Sequence, residues 1–412
     1  MVTTLPGVVD RAALHRRSLR TVVVSQVLGG LGLAAGVTVG ALLAEDLLGS
    51  TRLSGLPVAL LTLGSAGAAL LVGALSERSG RRPGLAAGYG AGAVGGAGVV
   101  LAAVLESPLL LMVSLLLYGA GTATNLQARY AGGDLADPSR RGTALSTVLF
   151  ATTLGAVAGP NLVGPVGRIA EQYGIPPLAG PFALAAMAYA LAAVVLLGWL
   201  RPDPLVTARA LAVQDALDSP VTSAPLPVTD TAALRLGALA MVVTQIVMVA
   251  VMTMTPVHMR DHGHGLGATG LVISMHIAAM FLPSPLTGRL ADRIGPRPVI
   301  ALGGLALLAA GVVAGSAPDD SVVLLAVGLA LLGLGWNLGL LGGTTLVAGA
   351  VPLLGRARVQ GRVDVSVALA GAAGGLGSGV VVAGSSYSAL ALGSGVLALL
   401  VLAAVLRPAR RG

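Results

Sequence analysis

The chain has 412 residues, of which 55% are apolar and 10% charged, with 60 glycines among the rest. Soluble domains sit nearer a quarter charged, so this chain lacks the polar surface of a soluble enzyme, a secreted disulfide scaffold or a disordered segment. The formal charge of +8 comes entirely from arginine over acid, with no lysine and no cysteine.

Long apolar runs recur in chain order with polar punctuation. A membrane span needs ~20 apolar residues, and twelve would use roughly 250. We read spans at 21–44, 55–75, 84–105, 109–131, 143–166 and 178–200, then 234–257, 267–288, 298–316, 321–345, 362–384 and 388–406. Arg16, Arg17 and Arg20 precede the first run as a juxtamembrane anchor rather than as a twin-arginine signal, because the run is long enough to cross. Residues 201–233 form a polar connector with Pro202, Pro204, Pro220, Pro225 and Pro227. Within it, Leu205 to Leu217 reads equally well as a short surface helix or as solvated coil. The division is therefore a first half 1–200, a linker 201–233 and a second half 234–412. With the N-terminus inside, only Arg52, Arg168 and Arg260 of the 25 arginines fall outside, which satisfies the positive-inside rule. Both termini are then cytoplasmic.

A duplication is the strongest signal. Residues 73–83 read GALSERSGRRP and residues 288–298 read GRLADRIGPRP. Gly73, Glu77, Arg78 and Gly80 align with Gly288, Asp292, Arg293 and Gly295, and Arg82 aligns with Arg297. Both copies close the second span of their half. Two copies of a six-span unit joined by a linker read as a duplicated transporter.

These two copies resemble the loop motif between the second and third helices of the major facilitator superfamily. GAVAGPNLVGP, with Gly155, Gly159, Pro160 and Gly164, resembles the helix-five motif of that superfamily's antiporters. ARYAGGDLADPSRRG (128–142), GLGWN (333–337) and VQGRVD (359–364) resemble one bacterial branch, in which some members carry flavins or other small molecules. The resemblance implies an all-α membrane protein of 12 transmembrane helices in two pseudo-symmetric six-helix halves. It also implies a bacterial cytoplasmic membrane as the location.

In the loop motif, small glycines let helices approach closely. Glu77 and Asp292 are expected to accept hydrogen bonds from arginine or from a neighbouring helix N-terminus, locking the cytoplasmic side. The resemblance gives Arg81 and Asp134 as partners in the first copy. Pro296 stands at the place of Arg81 in the second, so its relay is weaker or uses Arg297. Drug antiporters of the superfamily carry an arginine within the fourth span. The matching place here, near Leu115, is apolar, and Arg129 is expected at the inner end of that span.

Polar residues inside apolar spans are costly and mark pathways. Gln26, Asn125, Gln127, Thr244, Gln245, His276, Trp336 and Asn337 are the candidate cavity residues. For each amide, an interhelical hydrogen bond is an equal reading. Asp364 is the candidate proton-coupling group, with pairing to Arg362 or to a group near Arg141 as the plainer reading. His276 is a second coupling candidate or a buried neutral histidine.

His258, His262 and His264 cluster after the seventh span, but without a thiolate and with only Asp261 to help they read as a solvated loop. The acid pairs Glu45–Asp46 and Asp319–Asp320 sit in separate short loops without nearby histidines. No metal site and no cofactor are expected. Eleven aromatics provide no stacking platform, so nucleic acid is not a partner. The expected partners are a small-molecule substrate, protons and the lipid bilayer, with a monomer as the working unit. Function is read as proton-coupled efflux of a small organic molecule by a rocker switch. Proton-driven uptake of a nutrient such as a vitamin is the alternative, and a polytopic membrane enzyme a remote one.

Overall fold

The computed structural model describes residues 10–48, 56–218 and 228–406; the side chains of 34–42, 44–48, 56–58, 157, 159–161 and 266 lie outside the described set. The first half contains α1 (Arg11–Leu48), α2 (Leu56–Ser79), α3 (Arg81–Val104), α4 (Pro108–Gly133), α5 (Arg141–Gln172) and α6 (Gly180–Trp199). The linker carries α7 (Pro204–Asp218), so the helical reading of that segment is the one the chain adopts. The second half contains α8 (Thr231–Asp261), α9 (Leu266–Phe281), α10 (Ser284–Ile294), α11 (Pro296–Ser316), α12 (Val322–Ala350), α13 (Arg356–Gly384) and α14 (Tyr387–Leu406). The expected eighth span is thus two helices, α9 and α10, broken at Leu282–Pro283. Pro283 and Pro285 cannot donate to the preceding turn, which favours a break there. Asn337 of α12 bridges it, donating to the Met280 carbonyl and to Ser284 Oγ, both at 2.7 Å.

Helix ends are set by local chemistry. Ser107 accepts from Leu110 N at 3.4 Å with Pro108 next to it, and Asp230 accepts from Ala233 N at 2.9 Å. These are N-cap side chains meeting orphan amides. Gly80 and Gly295, the motif glycines, precede α3 and α11 with φ of 98° and 86°. Side chains other than glycine rarely adopt that conformation, so the glycine in each copy is required by the turn.

The two halves repeat each other's packing. α1 packs on α5 and α6 as α8 packs on α13 and α14; α3 packs on α4 and α6 as α11 packs on α12 and α14. Each half has its own apolar core, one around Tyr89, Tyr118 and Phe182, the other around Val247, Ile300 and Leu329. A third apolar cluster joins the halves: Tyr130, Leu145 and Leu149 meet Met241, Met280, Phe281, Trp336 and Leu341. Across the pseudo-twofold, α2 packs on α13 and α10 packs on α5. Ten helical segments among the described residues are long and apolar enough to cross a membrane.

Candidate translocation pathway and linker-side gate

Both acids of the repeated motif bind the N-terminus of a helix in the opposite half. Glu77, at the end of α2, accepts from Gly355 N at 2.7 Å and Ala357 N at 3.0 Å, where α13 begins. Asp292, near the end of α10, accepts from Gly142 N at 2.6 Å, Thr143 N at 2.8 Å and Thr143 Oγ1 at 2.6 Å, where α5 begins. A carboxylate at a helix start meets unpaired amides and the positive end of the helix dipole. The sequence offered arginine or a helix N-terminus as partners for these acids. For Asp292 the structure shows the helix N-terminus; for Glu77 it shows both.

The motif glycines allow this approach. A Cβ on Gly73 would lie 3.0 Å from the Ala357 carbonyl and from Gly361 Cα. One on Gly288 would lie 2.7 Å from the Gly142 carbonyl and would press closer still on Ser146. A larger residue at either place pushes the halves apart. Gly288→Val is expected to destabilise the closed linker side by about 1–3 kcal/mol, the usual cost of overpacking. A lowered melting temperature together with faster labelling from that side checks this.

Arg81 is fully buried. It donates from Nε to Asp134 at 2.8 Å and from Nη2 to Gln360 of α13 at 2.5 Å. Arg81 and Asp134, expected as partners in the first copy, are in contact, and Gln360 extends the contact to the other half. In the second copy, Pro296 has no side-chain donor for such a link, and among the described residues the Arg297 side chain makes no hydrogen bond or ion pair. Arg78 and Arg293 are exposed anchors. The linker helix adds a strap: Arg209 pairs with the Glu77 carboxylate and donates to the carbonyls of Glu77, at 2.9 Å, and Leu353, at 3.0 Å.

One turn or two farther inside lies a second link between the halves. Arg129 of α4 donates to Asp364 of α13 at 2.8 Å and to Thr344 of α12 at 3.0 Å. Its guanidinium carbon sits 4.3 Å over the Tyr130 ring. The two charged side chains are 1% and 2% exposed. Arg129 stands in the last turns of α4, at the inner end expected for it, and is buried there between the halves. One reading from sequence is corrected here: Asp364 pairs with Arg129 rather than with Arg362, which is exposed, or with a group near Arg141. One oxygen of Asp364, Oδ2, has no hydrogen-bond partner among the described residues.

The other polar candidates fall into separate groups. Gln26 donates to the Asn125 carbonyl and Thr152 Oγ1, both at 3.0 Å, and accepts from Tyr89 Oη at 2.6 Å, all within the first half. Gln127 donates to the Ala69 carbonyl at 2.7 Å. Asn125 and Thr244 are buried, the latter against Gly339. Trp336 Nε1 donates to Gln245 Oε1 at 2.9 Å and faces Phe281 edge-on at 5.6 Å. His276 is buried between α9 and α12, with Nδ1 2.9 Å from the Leu329 carbonyl. A carbonyl only accepts, so Nδ1 carries the proton and the ring is held inside its own half. Thr287 donates to Asn337 Oδ1 at 2.6 Å, completing the clamp on the α9–α10 break. In α5, a Cβ on Gly155 would press on the α1 backbone, whereas Gly164 has open space apart from Arg168. The surroundings of Gly159 and Pro160 lie outside the described residues.

A family model described as Major Facilitator Superfamily matches residues 22–269 and again 237–412. The chain belongs to the major facilitator superfamily. It is 56% identical over 397 residues to the MFS-type transporter YdeG of Bacillus subtilis, covering 95% of this chain and 92% of that one. It is 31% identical over 358 residues to the riboflavin transporter RfnT of Brucella anthropi, covering 86% of each. The solved structure of the human organic anion transporter MFSD10 superposes with a TM-score of 0.75 at 18% identity, over 95% of this chain and 99% of that one. The superfamily fold of twelve helices in two halves is thus the fold of this chain, and secondary transport is its class of function.

Sequence reasoning about this superfamily member placed Arg129 but missed its pairing with Asp364, and missed Tyr130, Thr344, Gln360 and Arg209, which surround the cross-half links. Depth was the available signal for one pair. Arg129 lies five residues before Asp134 and Asp364 eight after Arg356, so both sit about 8–12 Å along their helices from the same end.

Proposed function

We propose that this chain is a proton-coupled secondary transporter of a small organic molecule, in which residues 1–200 and 234–412 rock about a central site and residues 201–233 strap them. The linker end faces the cytoplasm, as the arginine distribution requires. The observation that carries the coupling is the Arg129–Asp364 pair, buried and shared between the halves. A buried ion pair costs desolvation and is retained here at the place where the halves must separate. A proton delivered to Asp364 weakens its hold on Arg129, so the pair links protonation to opening. The candidate substrate wall is Trp336, Phe281, Tyr130 and the methionines beside them. Flat aromatic rings with adaptable thioethers suit a planar organic ligand.

Efflux is the first direction, on the helix-five stretch from Gly155 to Gly164. Uptake of a vitamin is the second reading, favoured by the 31% identity to a riboflavin transporter. Proteoliposomes under an imposed pH gradient test both. Gradient-driven flux of riboflavin, another vitamin, an antibiotic or a dye is expected, and its direction separates export from import. With Asp364→Asn, the gradient should no longer drive accumulation while exchange of labelled for unlabelled substrate continues. Accumulation that persists unchanged in that variant rejects Asp364 as the coupling group.

A further inference from the structure

At the end of the bundle opposite the linker, the close of α8 meets the α11–α12 loop. His258 and His262 are one helical turn apart, so their rings share a face. Asp319 reaches them from the loop. Its carboxylate oxygens lie 3.7 Å from His258 Nε2 and 3.5 Å from His262 Nε2. One ligand atom from each of the three residues lies within 4.8 Å of the others. Two expectations from sequence are corrected here: the Asp319–Asp320 pair does have histidines beside it, and the acid that joins the histidines is Asp319. Asp261 lies 3.6 Å from Arg260 instead.

We infer that His258, His262 and Asp319 form a site for a divalent transition-metal ion of the zinc class. The contacts to Asp319 are too long for hydrogen bonds. They match donors sharing one ion: ligands at about 2.0–2.1 Å and a tetrahedral angle lie ~3.4 Å apart. Asp319 needs to move only a few tenths of an ångström to reach that spacing from either histidine, and the remaining donor pair, within 4.8 Å, closes by rotation of the imidazoles. The surroundings orient the donors as metal sites do. His262 Nδ1 lies 2.8 Å from the His258 carbonyl, so the proton is on Nδ1 and Nε2 is free to bind. His258 stacks on Tyr387 with ring centroids 4.4 Å apart and planes 12° from parallel. His264 Nε2 lies 2.8 Å from the Asp319 carbonyl and holds the loop in place. Two imidazoles and one carboxylate select zinc, cobalt or nickel over magnesium or calcium, which take oxygen donors. The fourth position opens on a cleft lined by Val382, Ser386 and Ser388, where water or an anionic ligand completes the shell. Bound there, the ion ties α8 to the α11–α12 loop, and through the Tyr387 stack to the start of α14. The site lies wholly within the second half, apart from the gate and from the Arg129–Asp364 pair.

The test uses the full chain, purified in detergent with a tag free of histidine and stripped with chelator. Zinc titrated by calorimetry should bind at one site per chain with Kd at or below ~10 μM, in the absence of any substrate. At 100 times Kd the ion should raise the melting temperature, as any ligand selective for the folded state does. Cobalt should give the visible absorption of a tetrahedral site, and magnesium should give neither response. Asp319→Asn removes a side chain 65% exposed, so the fold remains, and it should weaken zinc at least tenfold. His258→Ala with His262→Ala should abolish binding, whereas His15→Ala should leave it unchanged. No saturable zinc binding below 1 mM, or equal affinity in the Asp319→Asn and double-histidine variants, overturns the inference.

Discussion

Replacing Arg129 by Met is expected to destabilise the protein by about 3–5 kcal/mol, and replacing Asp364 by Leu by a similar amount. Each single change leaves one charge buried with nothing opposite it. The residues stand 1% and 2% exposed, so water cannot take the place of the lost partner. Thr344 and Tyr130 would still bond Arg129 in the Asp364 variant, but neither is an anion. The double variant should recover most of the loss, because an apolar pair of like volume removes both desolvation costs. Reversible unfolding in detergent measures the three variants, and the coupling energy from the cycle should reach at least 2 kcal/mol. Additive single effects would mean that the pair contributes nothing as a pair. A stable double variant that no longer accumulates substrate would separate the pair's role in coupling from its role in the fold.

Loss of both gate carboxylates should shift the protein towards an open linker side. Glu77 and Asp292 together receive five hydrogen bonds from the opposing halves, two and three respectively. Hydrogen bonds to charged groups are worth about 1.5–3 kcal/mol. With roughly one such unit lost at each acid, Glu77→Gln with Asp292→Asn should change the closed-to-open ratio by about 10²–10⁴. The native chain has no cysteine, so Leu341→Cys in the apolar cluster between the halves is a unique reporter. A membrane-impermeant maleimide applied from the linker side should label it at least tenfold faster in the double-gate variant than in the chain with native acids. Equal labelling would show that the closed state is held by the apolar cluster alone. The single change at Asp292 should exceed the single change at Glu77, because the first copy keeps the Arg209 bonds to the Glu77 and Leu353 carbonyls when its carboxylate is lost. Arg81 with Gln360 supports it as well, while Pro296 denies the second copy that link.

The contrast between these two sites shows how far the chain could be read without coordinates. The repeated motif carries its geometry locally. Its glycines at φ of 98° and 86° are demanded by the turn, and its acids sit at fixed spacing from them, so both copies were visible as a duplicated string. The rods were visible for a similar reason: a span announces itself by ~20 apolar residues, whatever it packs against. Spans expected at 84–105 and 298–316 match α3 and α11 to within three residues at each end. The one span that divided, at Leu282–Pro283, did so where two prolines stand close together.

Sequence alone determined the number of rods, their doubling into two halves and the residues of the loop motif, because each depends on neighbours a few positions away. Tertiary structure alone decided which polar groups meet. Arg129 and Asp364 are 235 positions apart, and His262 at the close of α8 meets Asp319 from the α11–α12 loop. Gln26, His276 and Asn337 were legible as buried polar groups by depth, but not that each would bond within its own half. A polar side chain in an apolar run must find a partner; which partner it finds depends on helix rotation and tilt, and small residues throughout this chain permit many close crossings.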